Sequence, residues 1–307
     1  MKSMAREMTR PNLPQDLTSY DFFKAVAILL MVIDHIGFYF FIDTDSNPEY
    51  NYFRVFGRMC VPIWFFLIGY ARSRDLGLMI IAGAAALVIC DVIIGRTVVP
   101  VNVLVSIIIV RLVIDYVMYY AQRGEVWLWC ISAVLFVLMI PLSIFWEYGS
   151  LGILLAMFGY MVAHQGQDED KQALTKKFMI FCIVVFALYQ QPYFGFTNTQ
   201  FIIMAAGSGL AFYVLLSFES KTYPGLTQAF PRPLTLFIQF CGRHTLGIYV
   251  VHLLVFKITA LMIGMDGYHL FQPDFFGELG EVMSGESASV SVSVSVPIEG
   301  DGHAYLE

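Results

Sequence analysis

The sequence predicts an all-α, polytopic membrane bundle of about nine transmembrane helices, nine to ten in number, followed by a short extracytoplasmic tail. Of the 307 residues, 58% are hydrophobic and only 14% are charged, and the mean hydropathy is +0.69. Residues 178–218 contain no Asp, Glu, Lys or Arg. Apolar runs of membrane-spanning length recur along the chain. This composition excludes a soluble domain, which needs a polar surface.

Nine apolar runs are expected to cross the bilayer as helices. A segment rich in turn formers, 190–198, divides the charge-free region into two spans. We interpret the short apolar segment 231–241 as a surface helix on the inner side rather than a tenth span, because a tenth crossing would disturb the charge balance. The predicted spans lie near 20–42, 57–71, 76–94, 98–120, 126–145, 148–164, 178–191, 199–217 and 244–263.

The basic residues predict the orientation, since loops on the cytoplasmic side carry an excess of Lys and Arg. With the N-terminus cytoplasmic, three basic residues fall on the outer side, Arg54, Arg58 and Arg96. Nine spans then place the C-terminus outside a cell inner (cytoplasmic) membrane. Twelve basic residues fall on the inner side: Lys2, Arg6, Arg10, Arg72, Arg74, Arg123, Lys171, Lys176, Lys177, Lys221, Arg232 and Arg243.

Two domains are expected, a membrane domain over 1–265 and an acidic, Ser/Val-rich tail over 266–307. In the tail, 268–282 mixes aromatic and acidic residues and is compatible with an outer-interface position. Residues 287–296 alternate Ser with Ala or Val, which fits either a disordered linker or a strand that pairs with another chain. The five cysteines fall in or beside apolar runs and are interpreted as packing residues.

The first span carries ionisable residues at membrane depth. Asp34 and His35 are adjacent within 20–42, and such residues in a span indicate function because burying charge in lipid is costly. Helical spacing places Lys24, Met31 and His35 on one face. Asp34 is rotated from His35 by about 100°. Each of the two therefore needs a partner on another helix.

Two arginines precede the second span. Arg54 and Arg58 are four residues apart and fit either interface anchors or inward-facing groups that bind a carboxylate, a phosphate or Asp34. Pro62 leaves the carbonyl of Arg58 without its helical donor, which predicts a local kink.

Further ionisable residues occupy later spans. Arg111 and Asp115 are four apart and are predicted to form a structural ion pair. Asp91 is expected to be paired or to snorkel. His252 fits a hydrogen-bonded packing residue, and Arg243 fits a headgroup anchor. The sequence has no metal-ligand spacing and no nucleotide-binding or nucleic-acid-binding motif.

Three segments resemble the TraX family of membrane proteins. Residues 23–38 (FKAVAILLMVIDHIGF) resemble its opening helix, with Lys before an Asp-His pair; 57–69 (GRMCVPIWFFLIG) resemble its second element, and 242–253 (GRHTLGIYVVHL) its closing element. TraX-like proteins are similar to the membrane acyltransferase family three. In that larger group an arginine early in the first helix is usual, and this chain has Lys24 there.

The resemblance implies an integral-membrane acyltransferase that moves an acetyl or other acyl group from cytoplasmic acetyl-CoA to an envelope acceptor. The acceptor would be a pilin N-terminus or a glycan, with acetyl-CoA as co-substrate and no metal. A homo-oligomer is compatible with the sequence. Histidine is a suitable base for such a transfer, and cationic groups can stabilise the oxyanion. We therefore predict catalytic roles for His35 and Asp34, and substrate-binding roles for Arg58, Arg54, Lys24, His252 and Arg243.

Two other classes of function fit the same composition. A proton-linked transporter would use Asp34, His35, Arg111 and Asp115 as an ion relay, although no internal repeat supports one. A structural membrane component of a pilus or secretion system is the other alternative.

Overall fold

The computed structural model describes residues 14–41, 51–265, 267–272 and 275–276. Within these ranges the chain is all-α, as predicted, and its only strand-like pairings are two isolated bridges, Thr18 with Thr222 and Val101 with Trp146. The described helices are α1 (Ser19–Phe40), α2 (Asn51–Arg58), α3 (Cys60–Tyr70), α4 (Leu78–Ile94), α5 (Val103–Ala121), α6 (Glu125–Ser143), α7 (Leu151–His164), α8 (Glu169–Phe194), α9 (Asn198–Leu216), α10 (Pro224–Ala229), α11 (Arg232–Arg243) and α12 (Thr245–Met262).

Seven elements of the described chain are long and apolar enough to cross a membrane: α1, α2 with α3, α5, α6, α8, α9 and α12. The helices α4 and α7, with 17 and 14 residues, are apolar but shorter. They occupy the positions of the other two predicted spans. The helical membrane bundle is thus confirmed, and the count of nine crossings stays a prediction.

The centre of the bundle is the contact between α3 and α7. Phe65, Phe66 and Phe158 are fully buried there. A Cβ on Gly159 would overlap the carbonyl of Phe66, and one on Gly69 would overlap the carbonyl of Ala156. Small residues let membrane helices approach closely and gain van der Waals contact. Most of the α7 side chains are buried as a result.

The predicted kink near Pro62 is present as a break between α2 and α3. The helix ends at Arg58 and resumes at Cys60, with Met59 between them. Proline has no amide hydrogen, so the fourth residue before it loses its helical donor.

The start of α1 marks one end of the bundle, which we call the proximal end; the other end is the distal end. Thr18 and Asp21 form a capping box there, with bonds of 3.1 and 3.0 Å that fix where α1 begins. The ring of Tyr20 contacts those of Tyr70, at the end of α3, and Phe218.

The short helix α11 packs at the proximal end. Gln239 Nε2 donates to the carbonyl of Gln15 at 2.8 Å, and Gly242 meets the backbone of Asp21. One face of α11 exposes Leu236, Phe237 and other apolar side chains. With 12 residues it is about 18 Å long, too short to cross a bilayer core, so the surface-helix interpretation is retained.

The predicted ion pair between Arg111 and Asp115 is wrong. Among the described residues, Asp115 Oδ1 instead accepts from Arg74 Nε at 3.0 Å, and Arg111 Nη1 donates to the carbonyl of Asp75 at 2.7 Å. The reason is that segment 71–77 packs beside the middle of α5. Arg74 and the carbonyl of Asp75, both in this segment, bond to Asp115 and Arg111, which therefore do not pair with each other.

The described part of the tail packs against the end of α4. His269 N donates to the carbonyl of Ile94 at 3.0 Å, and Phe271 N donates to that of Ile93 at 2.8 Å. The first residues after 265 therefore continue the membrane domain at its distal end. The Ser/Val repeat at 287–296 lies outside the described residues.

Candidate active site

A cavity of about 290 Å³ opens at the distal end of the bundle. Side chains from α1, α2, α4, α6, α8 and α12, and from the segments after α4 and α6, form its wall. Three carboxylates, four cationic side chains, one histidine and five tyrosines line it, which is unusual inside an apolar bundle. These residues are Asp34, Asp91 and Glu147; Arg54, Arg58, Arg96 and Lys257; His35; and Tyr39, Tyr148, Tyr189, Tyr193 and Tyr249.

Asp34 is held by both arginines of α2. Arg58 Nε donates to Asp34 Oδ1 at 3.0 Å, and its Nη2 donates to Oδ2. Arg54 Nη1 donates to Oδ2 at 2.7 Å and to the Asp34 carbonyl at 3.2 Å. The Asp34 side chain is only 1% exposed. Charge-assisted bonds to both oxygens compensate the desolvation cost of a buried carboxylate. Arg54 and Arg58 therefore face inward.

The local sequence explains why this clamp forms. Arg54 and Arg58 share one face of α2 because they are four residues apart. Gly57 lies on the contact with α1, where a Cβ would overlap the side chain of Asp34. The ring of Phe194 covers both guanidinium groups, at 5.1 Å from Arg54 and 4.8 Å from Arg58.

His35 finds its partner on α12. Its Nδ1 lies 2.8 Å from His252 Nε2, and His252 Nδ1 lies 2.7 Å from the carbonyl of Ile248. A carbonyl only accepts, so His252 Nδ1 carries a hydrogen, and the Nε2 of a neutral His252 is an acceptor. The Nδ1 of His35 is then the donor between the rings. The lone pair of His35 is left on Nε2, which is the form required of a general base.

Tyr148 and Glu147, which sequence reasoning missed, lie in the turn between α6 and α7. Tyr148 OH accepts from Arg58 Nη1 at 2.8 Å. Its φ of 68° is uncommon for a residue other than glycine. The Tyr-Gly pair at 148–149 was the available sequence signal, since it marks a tight turn.

Glu147 brings a third carboxylate to the cavity. Burial raises the pKa of its carboxyl, an effect that Arg58 and Lys257 partly offset. Its backbone is fixed by α5, because Ser106 Oγ donates to the Glu147 carbonyl at 2.6 Å.

Lys257 was also missed, and it pairs with Asp91 across α12 and α4. Of the two alternatives predicted for Asp91, pairing and snorkelling, the structure shows pairing. The side chains are 7% and 14% exposed, so this second ion pair is also buried. No local spacing links residues 91 and 257, and the sequence alone could not join them.

Two predicted binding residues lie away from the cavity. Lys24 is about 16 Å from His35 along α1, by helical rise, and its Nζ lies 5.6 Å from the ring centre of Tyr20. Arg243 donates to Asp21 at 3.2 Å and to the carbonyl of Pro14 at 2.8 Å. Both residues lie near the proximal end. His35, Asp34, Arg54, Arg58 and His252 are the predicted residues that the fold brings together.

Comparisons with known proteins identify the family. The family model described as TraX protein matches residues 19–260. The uncharacterized protein RP591 of Rickettsia prowazekii (strain Madrid E) is 24% identical over 253 residues, which are 79% of this chain and 93% of that protein. No solved structure matches significantly. The family match runs from the start of α1 almost to the end of α12 and so includes the whole cavity wall contributed by helices. The chain therefore belongs to the TraX family.

Proposed function

We propose that this protein is an integral-membrane acyltransferase, similar to the acyltransferase family three, that moves an acetyl group from acetyl-CoA to an acceptor in the cell envelope. The observation that carries the proposal is the hydrogen-bonded His35–His252 pair in a polar cavity. A neutral imidazole with a free Nε2, beside two arginines, meets the chemical needs of acyl transfer. The acceptor would be a pilin N-terminus or a glycan hydroxyl.

In the proposed reaction, His35 is the base that takes the acceptor's proton. The acceptor's amine or hydroxyl attacks the thioester carbonyl carbon, and His35 Nε2 takes the proton that the acceptor loses. The carbon–sulfur bond of the tetrahedral intermediate then breaks, and the same proton neutralises the leaving thiolate of CoA. His252 accepts from His35 Nδ1 and so stabilises the imidazolium while it exists.

Asp34 acts through the arginines in this proposal. It orients Arg58 and Arg54, and the two guanidinium groups retain a net positive charge after one carboxylate is neutralised. That charge favours an anionic intermediate in a site of low dielectric constant. Asp34 is thus a positioning residue rather than a base, since it makes no contact with His35 among the bonds of the described residues.

The proximal end is proposed to face the cytoplasm and to receive acetyl-CoA. Segment 71–77 lies beside Asp115, which is about 9 Å from the end of α5 at Ala121. Irregular backbone is tolerated at membrane depth where it borders a water-filled recess, and the Asp115 side chain is 56% exposed. Arg72 and Lys24 lie in this region, where they can attract the phosphates of CoA.

The transporter alternative loses support from the same geometry. Its relay needs Asp34, His35, Arg111 and Asp115 in one path. The structure places the first two at the distal cavity and the last two beside segment 71–77. A structural role in a pilus or secretion system has no specific observation in its favour.

The test is acyl transfer by purified protein in detergent, where no ion gradient exists. Radiolabelled acetyl-CoA is supplied with envelope extract, and mass spectrometry identifies the acetylated acceptor. We expect His35→Ala to abolish transfer, and His252→Ala to lower kcat by about 10²-fold, within the range for assisted general-base catalysis. The control is His164→Ala, which removes an exposed histidine at the proximal end.

Two results would contradict the proposal. Wild-type protein that transfers nothing, while it remains folded, would exclude an acyltransferase. Near-normal turnover by His35→Ala would leave the activity standing and would remove His35 as the base.

A further inference from the structure

A second, small cavity is lined by His35. It holds about 20 Å³, which is room for one water molecule or one oxygen-sized group. It shares Asp34, His35 and Arg58 with the larger cavity, so the two are parts of one site. Met31 and Trp64 are among the residues that line it.

The indole nitrogen of Trp64 is buried in this region without a partner. Among the described residues, Trp64 Nε1 is shielded from solvent and makes no hydrogen bond. The indoles of Trp129 and Trp146 do have partners, the Glu125 carboxylate and the Gly149 carbonyl. A buried donor without an acceptor costs free energy, and buried indole groups usually find a partner. An acceptor supplied from outside the chain would satisfy it.

The position of Trp64 matches the path of the acyl group. Met31 lies one helical turn from His35 toward the proximal end, and Trp64 lines the same small cavity as Met31. On the proposed orientation a thioester arrives from the proximal side and must stop beside His35. Its carbonyl oxygen then falls in the region of the small cavity, which has room for one oxygen.

We propose that the indole N–H of Trp64 donates to the acyl carbonyl oxygen and stabilises the oxyanion during transfer. This inference rests on the proposed function. When the acceptor attacks the carbonyl carbon, the carbonyl π electrons move to this oxygen, and a fixed donor aimed at it lowers the barrier. When the carbon–sulfur bond breaks, the carbonyl re-forms and the oxygen leaves the indole with the acylated product. Trp64 gives up no proton in either step.

The decisive variant is Trp64→Phe. It keeps one aromatic ring, removes the N–H donor, and makes the side chain smaller by one ring. We expect kcat to fall on the order of 10²-fold, the usual loss for one oxyanion donor, with the KM for acetyl-CoA little changed. The thermal midpoint in detergent should stay equal or rise, because the variant no longer buries an unpaired donor. A purely structural tryptophan would instead lower the thermal midpoint.

The matched control is Trp129→Phe. It removes an indole N–H that is already bonded, at the proximal end and far from His35. We expect its kcat to equal that of wild type. Equal kcat for Trp64→Phe and wild type would overturn the inference, and would indicate that the cavity holds a structural water only.

A direct measurement decides the case if Trp64→Phe also loses thermal stability. Protein labelled with ¹⁵N in its indole groups is titrated with a methyl-ketone analogue of acetyl-CoA, in which a methylene group separates the sulfur from the carbonyl. A downfield shift of the Trp64 indole proton, assigned by its absence in the variant, supports the donor role. An unmoved resonance at saturation overturns it.

Failure of the proposed function is distinguishable from failure of this inference. Wild-type protein without any transfer overturns both. Wild-type transfer that Trp64→Phe matches overturns the inference alone.

Discussion

Two groups of ion pairs in the bundle hold their charges differently: those of the distal cavity are buried, and the pair beside segment 71–77 has an exposed carboxylate. At the distal end Asp34 is buried and receives bonds from Arg54 and Arg58, and Asp91 is buried with Lys257. Beside segment 71–77 the carboxylate of Asp115 is more than half exposed and is bonded to an arginine from irregular backbone.

The difference in burial determines how much each ion pair contributes to stability. A buried ion pair has already lost its hydration, so loss of one partner leaves an unpaired charge in a medium of low dielectric constant. An exposed pair keeps its water and contributes little to stability. The distal pairs therefore hold the geometry of the cavity, whereas the Arg74–Asp115 pair is expected to add little to the stability of the fold.

The largest effect is expected at the clamp. Arg58→Met should cost about 3–5 kcal/mol of unfolding free energy, because Asp34 keeps only Arg54 as an ionic partner. Unfolding in mixed detergent micelles measures this loss. The double variant Arg58→Met/Asp34→Leu should lose less than the two single variants together, since the pair is coupled. Strictly additive losses would show that Arg58 and Asp34 are not coupled.

A middle-sized effect is expected where the clamp depends on close packing. Gly57→Ala adds a Cβ that overlaps Asp34 and should cost about 1–3 kcal/mol, the usual range for overpacking. Gly209→Ala is the control, because a Cβ at that helical position meets nothing within 4 Å. It should be neutral or stabilising, since alanine favours helix over glycine by about 1 kcal/mol. Equal losses for both variants would show that the clamp does not depend on the close contact between α1 and α2 at Gly57.

The smallest effect is expected at the Arg74–Asp115 pair. Asp115→Asn should change the unfolding free energy by less than about 1 kcal/mol, because its side chain is 56% exposed and exposed ion pairs contribute little. The same unfolding assay measures it beside Arg58→Met. A loss as large as that of Arg58→Met would show that the Arg74–Asp115 pair supports the fold as strongly as the buried distal pairs, which would remove the contrast.

The sequence predicted the helices well because each apolar run is long and uninterrupted. Length and hydropathy alone locate a span, whatever its neighbours are. The break at Pro62 was predicted for the same reason, since it follows from one local covalent constraint.

Spacing along a single helix predicted some side-chain contacts correctly and others wrongly. It placed Arg54 and Arg58 on one face and showed that Asp34 and His35 must find separate partners, both of which the structure provides. It failed for Arg111 and Asp115, where segment 71–77 offers partners to both from another part of the chain. Spacing along one helix predicts which side chains can meet, but a tertiary partner can compete for them.

The remaining contacts of the site could not be found from sequence because they are long-range. The sequence predicts a binding role for His252, but only the approach of α12 to α1 pairs it with His35. Lys257 depends on α12 meeting α4 in the same manner. The contacts of these ionisable residues depend on which helices are neighbours, and no local sequence pattern specifies that.

The short helix α3 has an electrical consequence. Its 11 residues rise about 16 Å from Cys60, which lines the small cavity beside His35, to the start of segment 71–77, roughly half the thickness of a bilayer core. A charge that crosses a full membrane voltage of 100 mV requires about 2.3 kcal/mol of electrical work. In the proposed reaction a neutral acyl group would pass along α3 without such work, whereas the multiply charged CoA could not. The membrane voltage would then act on the carrier and not on the group it delivers.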